Sequence, residues 1–433
     1  MSELRWPFLP GRNIHIQKAE GIYLYTKEGQ EIIDAAGGAI VACIGHGNER
    51  VVQAVARATR DTSYVVPPWL TPSREAMLEA LSDWLPASLS RVHCTSGGSE
   101  SNEAAIKIAL HYQQAIGQTS RTEIIGRSIG YHGTTLATAS ISGHPGRKKG
   151  LETALPPFLE VETPYPLRCP QTHNQGDYYV DQLLSLIEDT GPDKIAAFLS
   201  EPITGSSGGA IVPPEEYWPR VREICNQNGI LLIVDEVMTG FGRTGRDFGF
   251  QHWPIEPDIL VGGKGLAGGY APLGGVFARE EIGAAIEQAG YQVMFNTFGA
   301  HPAACAAAGE VLTIMREEDL VQGAHLKGEY FNQQLHAAFS NHPHVAEVRG
   351  KGLLKAIEVV ANRDTLERFP VATGLSTKIV INGLKKGVFF YGGGTGDVRD
   401  IVCMGPPLTI ENAAIDRIVE VLLESVDEAI AAV

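Results

Sequence analysis

A chain of 433 residues is longer than a single small domain, and its 44% apolar content is ample for a large core. Thirty-five Lys and Arg against 50 Asp and Glu leave a net charge of −15. With no extended basic run, that balance argues against a nucleic-acid binder. Cys43, Cys94, Cys169, Cys225, Cys305 and Cys403 show no CxxC or CxxH spacing, so reduced thiols are expected rather than a disulfide framework or a metal site. The opening MSELRWPFLPG lacks the basic start and apolar core of a signal peptide, and no apolar run approaches about 18 residues. A cytoplasmic protein with no membrane span is expected.

In chain order, residues 1 to about 40 read as an extended arm with small strands, Gly21 to Thr26 alternating weakly before the Lys27-Glu28-Gly29 turn. Asn48 to Arg60 predicts an amphipathic helix, and 72–84, opened by Pro72, predicts another. Strands are expected at 91–95, 122–127, 195–200, 230–235 and 258–262, alternating with helices. One of those helices runs from Pro214 to Asn228, with Pro in its first turn and Gly229 after its end. Such alternation implies an α/β protein with a mixed, largely parallel sheet wrapped by helices. After about residue 303 the texture changes to that of a smaller α+β domain. Helices are expected at Ala303–Met315, Leu320–Phe339 and Asn412–Ala432, with short strands at 345–349, 353–359, 388–391 and 401–404. Neither an internal repeat nor a low-complexity linker interrupts the chain.

The most informative stretch runs from Gly229 to Gly269. The apolar run Ile230 to Val234 delivers Asp235 at its end, and Ile259 to Val261 leads to Lys264 flanked by glycines. Apolar runs of this length, bounded by Gly and Pro, read as parallel strands buried on both faces, whose carboxyl ends line the ligand crevice of an open α/β sheet. A carboxylate and an amine aimed at one crevice suggest a pyridoxal 5′-phosphate Schiff base, with Lys264 forming the imine and Asp235 keeping the pyridine nitrogen protonated. A strand-end ion pair fits these two residues equally well.

A second motif separates the two. The short strand Val92 to Thr95 runs into Ser96-Gly97-Gly98-Ser99-Glu100-Ser101-Asn102-Glu103, and apolar residues at 104, 105, 108 and 109 then share a helical face. Ser99 is the expected N-cap, after glycines that let the backbone approach a ligand. A helix N-terminus of this kind is a ready phosphate site.

These residues match a known family. The chain resembles the class III (subgroup II) aminotransferases of pyridoxal-phosphate fold type I, which include the ω-amino acid and amine:pyruvate transaminases. Residues 97–109, GGSESNEAAIKIA, resemble the family's SGSEANE-type phosphate loop, with Gly97 where Ser is usual. Gly130-Tyr131-His132-Gly133 looks like its YHG block. Glu201-Pro202-Ile203 with Gly208-Gly209 and Val212-Pro213-Pro214 resembles EPI…GG…PP, and Asp235-Glu236-Val237 with 240–245 resembles DEV…GFGRTG. Gly263-Lys264-Gly265-Leu266 with 269–273 is similar to SKGL…GYPPL, with Gly263 for the common Ser. Asn296 to Pro302 looks like the block whose Thr reaches the neighbouring subunit's phosphate, and Pro406-Pro407-Leu408 like the late PPL signature.

The resemblance implies a large domain at 46–305 with a mostly parallel seven-stranded sheet between helices. The arm at 1–45 would join the C-terminal part, 306–433, in a discontinuous small domain. It implies Lys264 and Asp235 as catalytic residues. Gly98, Ser99, Tyr131 (stacked on the ring), His132 (positioning), Glu201, Val237 and Thr297 would join them around the cofactor. Strand alternation lets only one of Asp235 and Glu236 face the ring, and family position favours Asp235. Thr297 reaching a partner's phosphate implies a homodimer, or a tetramer, with shared sites. Ile40 is expected to line a small substrate pocket and Trp69 a large one. No Arg stands immediately before Pro406; the nearest is Arg399, expected on a mobile glycine-rich loop at 392–398, where a substrate carboxylate or a neighbouring Asp are equal partners for it. The expected activity is ping-pong transfer of an amino group from a primary amine or ω-amino acid to a keto acid such as pyruvate. A racemase or aminomutase of the same fold is the alternative.

Overall fold

Seven strands form the central sheet, in the order Arg91–Thr95, Gly274–Ala278, Ile259–Gly262, Leu231–Asp235, Ile195–Ser200, Glu123–Arg127 and Leu159–Val161. The computed structural model describes residues 14–170, 174–292 and 295–433, so the first 13 residues of the expected arm lie outside the described residues. The last five strands run parallel, while Gly274–Ala278 is antiparallel to both its neighbours. Every residue of Ile195–Ser200, Leu231–Asp235 and Ile259–Gly262 is buried, as befits strands covered on both faces.

Alternation along these strands decides which side chain meets which helix. Leu231 and Ile233 pack with Ala105, Ile108 and Ala109 of the helix Gly98–Ala115. Leu232 and Val234 point the other way, into the main core with Trp218 and Val221 of the helix Tyr217–Asn228. That second helix starts three residues after Pro214, because Tyr217 N donates back to Pro214 O at 3.0 Å in a turn. It ends as expected at Gly229, whose φ of 64° is left-handed.

The other expected strands and helices occur within a few residues of their expected bounds. The strands Leu159–Val161 and Gly274–Ala278 had no counterpart in the sequence reading, nor did the helices Leu136–Ile141, Gln175–Thr190, Glu280–Gln288 and Leu375–Lys385.

Two smaller sheets complete the fold. In one, Ile16–Glu20, Tyr23–Thr26 and Glu31–Asp34 are joined by Val388–Phe389, which pairs in parallel with Glu31–Asp34. The arm and the C-terminal part therefore share a sheet. In the other, Val345–Arg349, Lys355–Val359, Val398–Met404 and Tyr391–Thr395 are antiparallel neighbours. The expected boundary at 305/306 falls inside one continuous helix, Pro302–Glu317, packed on Glu49–Asp61 and Pro72–Ser82. Among the described residues no helix is long and apolar enough to cross a membrane, and all six cysteines are unpaired.

Candidate active site

At the carboxyl ends of two adjacent parallel strands, Asp235 and Lys264 border one cavity of about 180 Å³. Asp235 closes the strand Leu231–Asp235. Lys264 follows Ile259–Gly262 and opens a single 3-10 turn, Lys264–Leu266. The Lys264 φ of 40° is left-handed, which a residue with a Cβ adopts only where its surroundings enforce it. Burial lowers the Lys264 amine from its ordinary 10.5 to about 8, against the opposing pull of the Asp235 and Glu201 charges.

Asp235 is almost wholly buried and fully engaged. Its Oδ2 accepts from Asn102 Nδ2 at 2.8 Å and lies 2.7 Å from His132 Nδ1, which donates when that nitrogen carries the proton. Its Oδ1 accepts from the Val237 N–H at 2.9 Å. Glu236 turns to the opposite side, as alternation requires. There it accepts from Thr239 Oγ1 at 2.5 Å and from the N–H groups of Gly249 and Phe250 at 2.8 and 2.7 Å. Burial pushes the Glu236 carboxyl up to about 7 in spite of these bonds.

The remaining wall comes from three segments. Gly98 and Ser99 belong to the first turn of the helix Gly98–Ala115, where N–H groups have no intrahelical acceptor. A Cβ on Gly98 would lie 3.0 Å from a Val237 methyl, so glycine keeps this approach open. Tyr131, His132 and Gly133 supply a second segment. Glu201 supplies the third; its Oε1 accepts from Gly205 N at 2.9 Å and its Oε2 from Tyr131 N at 3.2 Å. Burial holds Glu201 above the usual carboxylate range, with His132 acting against it.

Gly98, Ser99, Tyr131, His132, Glu201, Asp235, Val237 and Lys264 are thus brought together around one cavity. Ser99 is not the helix cap, however. The helix begins one residue earlier, after Gly97, and the Glu100 carboxylate folds back to accept from Ser96 N at 2.8 Å. Ser99 Oγ instead accepts from the Thr134 N–H at 3.2 Å.

Four expected residues lie elsewhere. Ile40, left-handed at φ 59°, is buried against Gly405. Trp69 is 65% exposed, its carbonyl accepting from Arg74 Nη1. Arg399 is not on a loose loop: Tyr391–Thr395 and Val398–Met404 form a hairpin, and Arg399 Nη2 donates to Phe369 O at 2.8 Å beside Asp397 and Asp400. Thr297 is exposed, next to Asn296, whose side chain reaches His93 and Glu100.

Asn102, Gly133 and Met238 complete the lining and were missed in the sequence. For Asn102 the signal was present: it falls on the buried stripe with Ala105 and Ala109, where an apolar residue is the default.

A family model described as aminotransferase class-III matches residues 10–426. The putrescine–pyruvate aminotransferase of Pseudomonas aeruginosa is 34% identical over 423 residues, covering 96% of this chain and 91% of its own. An aminotransferase of Schizosaccharomyces pombe is 35% identical, covering 96% and 93%. Among solved structures, the omega transaminase of Pseudomonas jessenii in complex with PMP superposes with a TM-score of 0.92 at 32% identity, over 99% of this chain and 96% of that one. An (S)-enantioselective omega-transaminase of Thermomicrobium roseum gives 0.89 at 35%, over 97% and 92%. None of these favours a racemase or aminomutase. Matched nearly end to end, and with amine, carboxylate and helix N-terminus in one cavity, the chain belongs to the class-III aminotransferases, a family of pyridoxal-phosphate-dependent transferases.

Proposed function

We propose that this aminotransferase takes the amino group of a primary amine or ω-amino acid and delivers it to a keto acid such as pyruvate, in two half-reactions on one cofactor. The reading rests on a single observation: Lys264, Asp235 and the first turn of Gly98–Ala115 border the same cavity. For the substrate class it draws support from the similar putrescine–pyruvate aminotransferase and omega-transaminases.

The residues fit pyridoxal 5′-phosphate. Helix N–H groups beside Gly98 suit a phosphate, and buried Asp235 suits a protonated pyridine nitrogen. Asn102 Oδ1, buried in the wall, has no hydrogen-bond partner among the described residues and remains as an acceptor. The cofactor, when bound, supplies a ring that withdraws electrons from the substrate carbon. Lys264 Nζ would anchor it and would carry the proton to and from that carbon, a task helped by an amine that burial makes largely neutral above pH about 8. His132 and Asn102 hold the Asp235 carboxylate in place. Tyr131 and Val237 line the cavity where they would hold the ring, and Glu201, in the same wall, would stand near the substrate side. A panel of amine donors with pyruvate tests the reading: alanine should form with at least one, and none with any donor would sink it.

Thr297 completes the phosphate cradle of a second subunit in a homodimer, or a tetramer built from it. Its exposure in its own chain supports this, as does the apolar surface around it: Leu70, Phe295 and Phe298 are each at least 60% exposed. Since a hydrogen bond to a charged group contributes about 1.5–3 kcal/mol, Thr297→Ala should loosen the cofactor by roughly ten- to a hundredfold. Sedimentation at low concentration, read beside activity, is decisive: a monomer that keeps cofactor and full turnover refutes the shared site. Unpaired cysteines support a reducing, cytoplasmic location. We divide the chain into the arm at 1–45, a large part from 46 and a small part ending at 433. The seam between the large and small parts moves from 305/306 to the end of Pro302–Glu317.

A further inference from the structure

A keto acid carries a carboxylate that needs a cation, and Arg399 is already committed to Phe369 O. Three buried guanidiniums are held elsewhere. Arg127 donates to Glu201 O through Nη1 and is enclosed by the rings of Phe198, Tyr217 and Trp218. Arg243 donates to Pro406 O, and Arg349 pairs with Glu347 and Glu358. Arg147 differs. Among the described residues its side chain makes no ion pair and no hydrogen bond, and its guanidinium lies 4.9 Å from the ring centroid of Tyr131, a wall of the Lys264 cavity.

We propose that Arg147 is a specificity-determining residue that receives the carboxylate of the keto acid or ω-amino acid at the mouth of this cavity. The proposal rests on the amino-transfer function argued above and names where its anionic substrate is read. A guanidinium stacked on an aromatic face keeps its N–H edge free, and that edge matches a carboxylate with two parallel bonds. Aromatic groups frame it. His144 meets the Tyr131 ring edge-on at 6.4 Å, and Tyr391, whose hydroxyl is raised by burial, feels the opposing charge of Arg147. The hairpin bearing Tyr391 touches the same short helix, since a Cβ on Gly396 would sit 3.0 Å from Pro145. Lys148 and Lys149 follow, also without ion pairs among the described residues, though Lys149 adds to the backbone N–H groups that lower the Glu152 carboxyl. They add positive charge on a chain of net charge −15 that would otherwise repel an anion. A neutral amine tail gains nothing from this group; an anionic one does.

The test uses holoenzyme with Arg147→Gln and Arg147→Lys. Arg147 is exposed and, among the described residues, its side chain holds no hydrogen bond, while its backbone N–H bond to His144 O is untouched by substitution, so both variants should fold. With one amine donor held constant, pyruvate is compared with propanal, an acceptor lacking the carboxylate. In Arg147→Gln, KM for pyruvate should rise by at least about tenfold with kcat little changed, while KM for propanal stays within about twofold. Arg147→Lys should keep part of the pyruvate affinity. Calorimetric titration with unreactive propionate should show the same order of weakening without any turnover. Equal changes for both acceptors would make Arg147 a mere support for Tyr131 and overturn the proposal, as would propionate binding unaltered in Arg147→Gln. If wild-type enzyme aminates neither acceptor, the function is wrong, and the propionate titration still decides the role of Arg147.

Discussion

Lys264→Ala should abolish turnover while leaving the fold intact and allowing weak retention of cofactor. The loss should be at least about 10²–10⁴-fold, the range for removal of a positioned proton-transfer group, and larger if the covalent anchor adds to it. Wild-type protein should be yellow, with a visible band that moves on addition of an amine donor. After borohydride reduction, the cofactor should be found on the peptide that contains Lys264. A labelled peptide without Lys264 removes the assignment. The same amine gives a pH signature. Burial brings it down from 10.5 to about 8, so the reactive neutral form is scarce below about 8 and dominant above it. Capture of cofactor by the apoenzyme should therefore accelerate as pH rises through about 8. An acceleration centred near 10.5 instead would mean that the amine is solvated like a surface lysine.

The parts of this site that were legible in the sequence are those set by short-range physics. Continuous apolar runs mark strands buried on both faces, which is why Ile195–Ser200, Leu231–Asp235 and Ile259–Gly262 were placed within a residue or so. Leu159–Val161 has only three residues, and Gly274–Ala278 opens on two glycines; neither carries a period long enough to read. Cap positions were less legible, since Ser99 and Gly97 both suit a helix start. The Glu100 carboxylate bonded to Ser96 N decides for the earlier one. Family position brought Tyr131, His132 and Glu201 to the cavity, whereas the expected substrate residues stand outside its lining within one chain. Ile40, Trp69 and Arg399 stand near landmarks in the sequence, whereas pocket lining depends on where a side chain turns after folding. Arg147, on a four-residue helix with no motif, gave no sequence signal.

Asp235→Asn should lower turnover by two or more orders of magnitude, although the change is nearly isosteric. The carboxylate charge that would keep the pyridine nitrogen protonated disappears, and such electrostatic and proton-holding contributions are each worth several kcal/mol. The substitution also sets an NH2 either against the Val237 N–H or against the donors of both Asn102 and His132, so at least one of three bonds must reverse or break. Cofactor content and unfolding temperature should be measured alongside kcat, because the claim concerns chemistry rather than folding. Glu236→Gln is the matched contrast. Glu236 sits one residue further on, faces away from the cavity and holds Thr239, Gly249 and Phe250 in place. Its loss should cost about 1–3 kcal/mol of stability by weakening buried hydrogen bonds, with kcat per folded molecule largely kept. Two adjacent carboxylates, split by the alternation of one strand end, should thus fail in opposite ways. Near-normal kcat in Asp235→Asn together with a collapse of kcat in folded Glu236→Gln would show that the roles have been assigned to the wrong member of the pair.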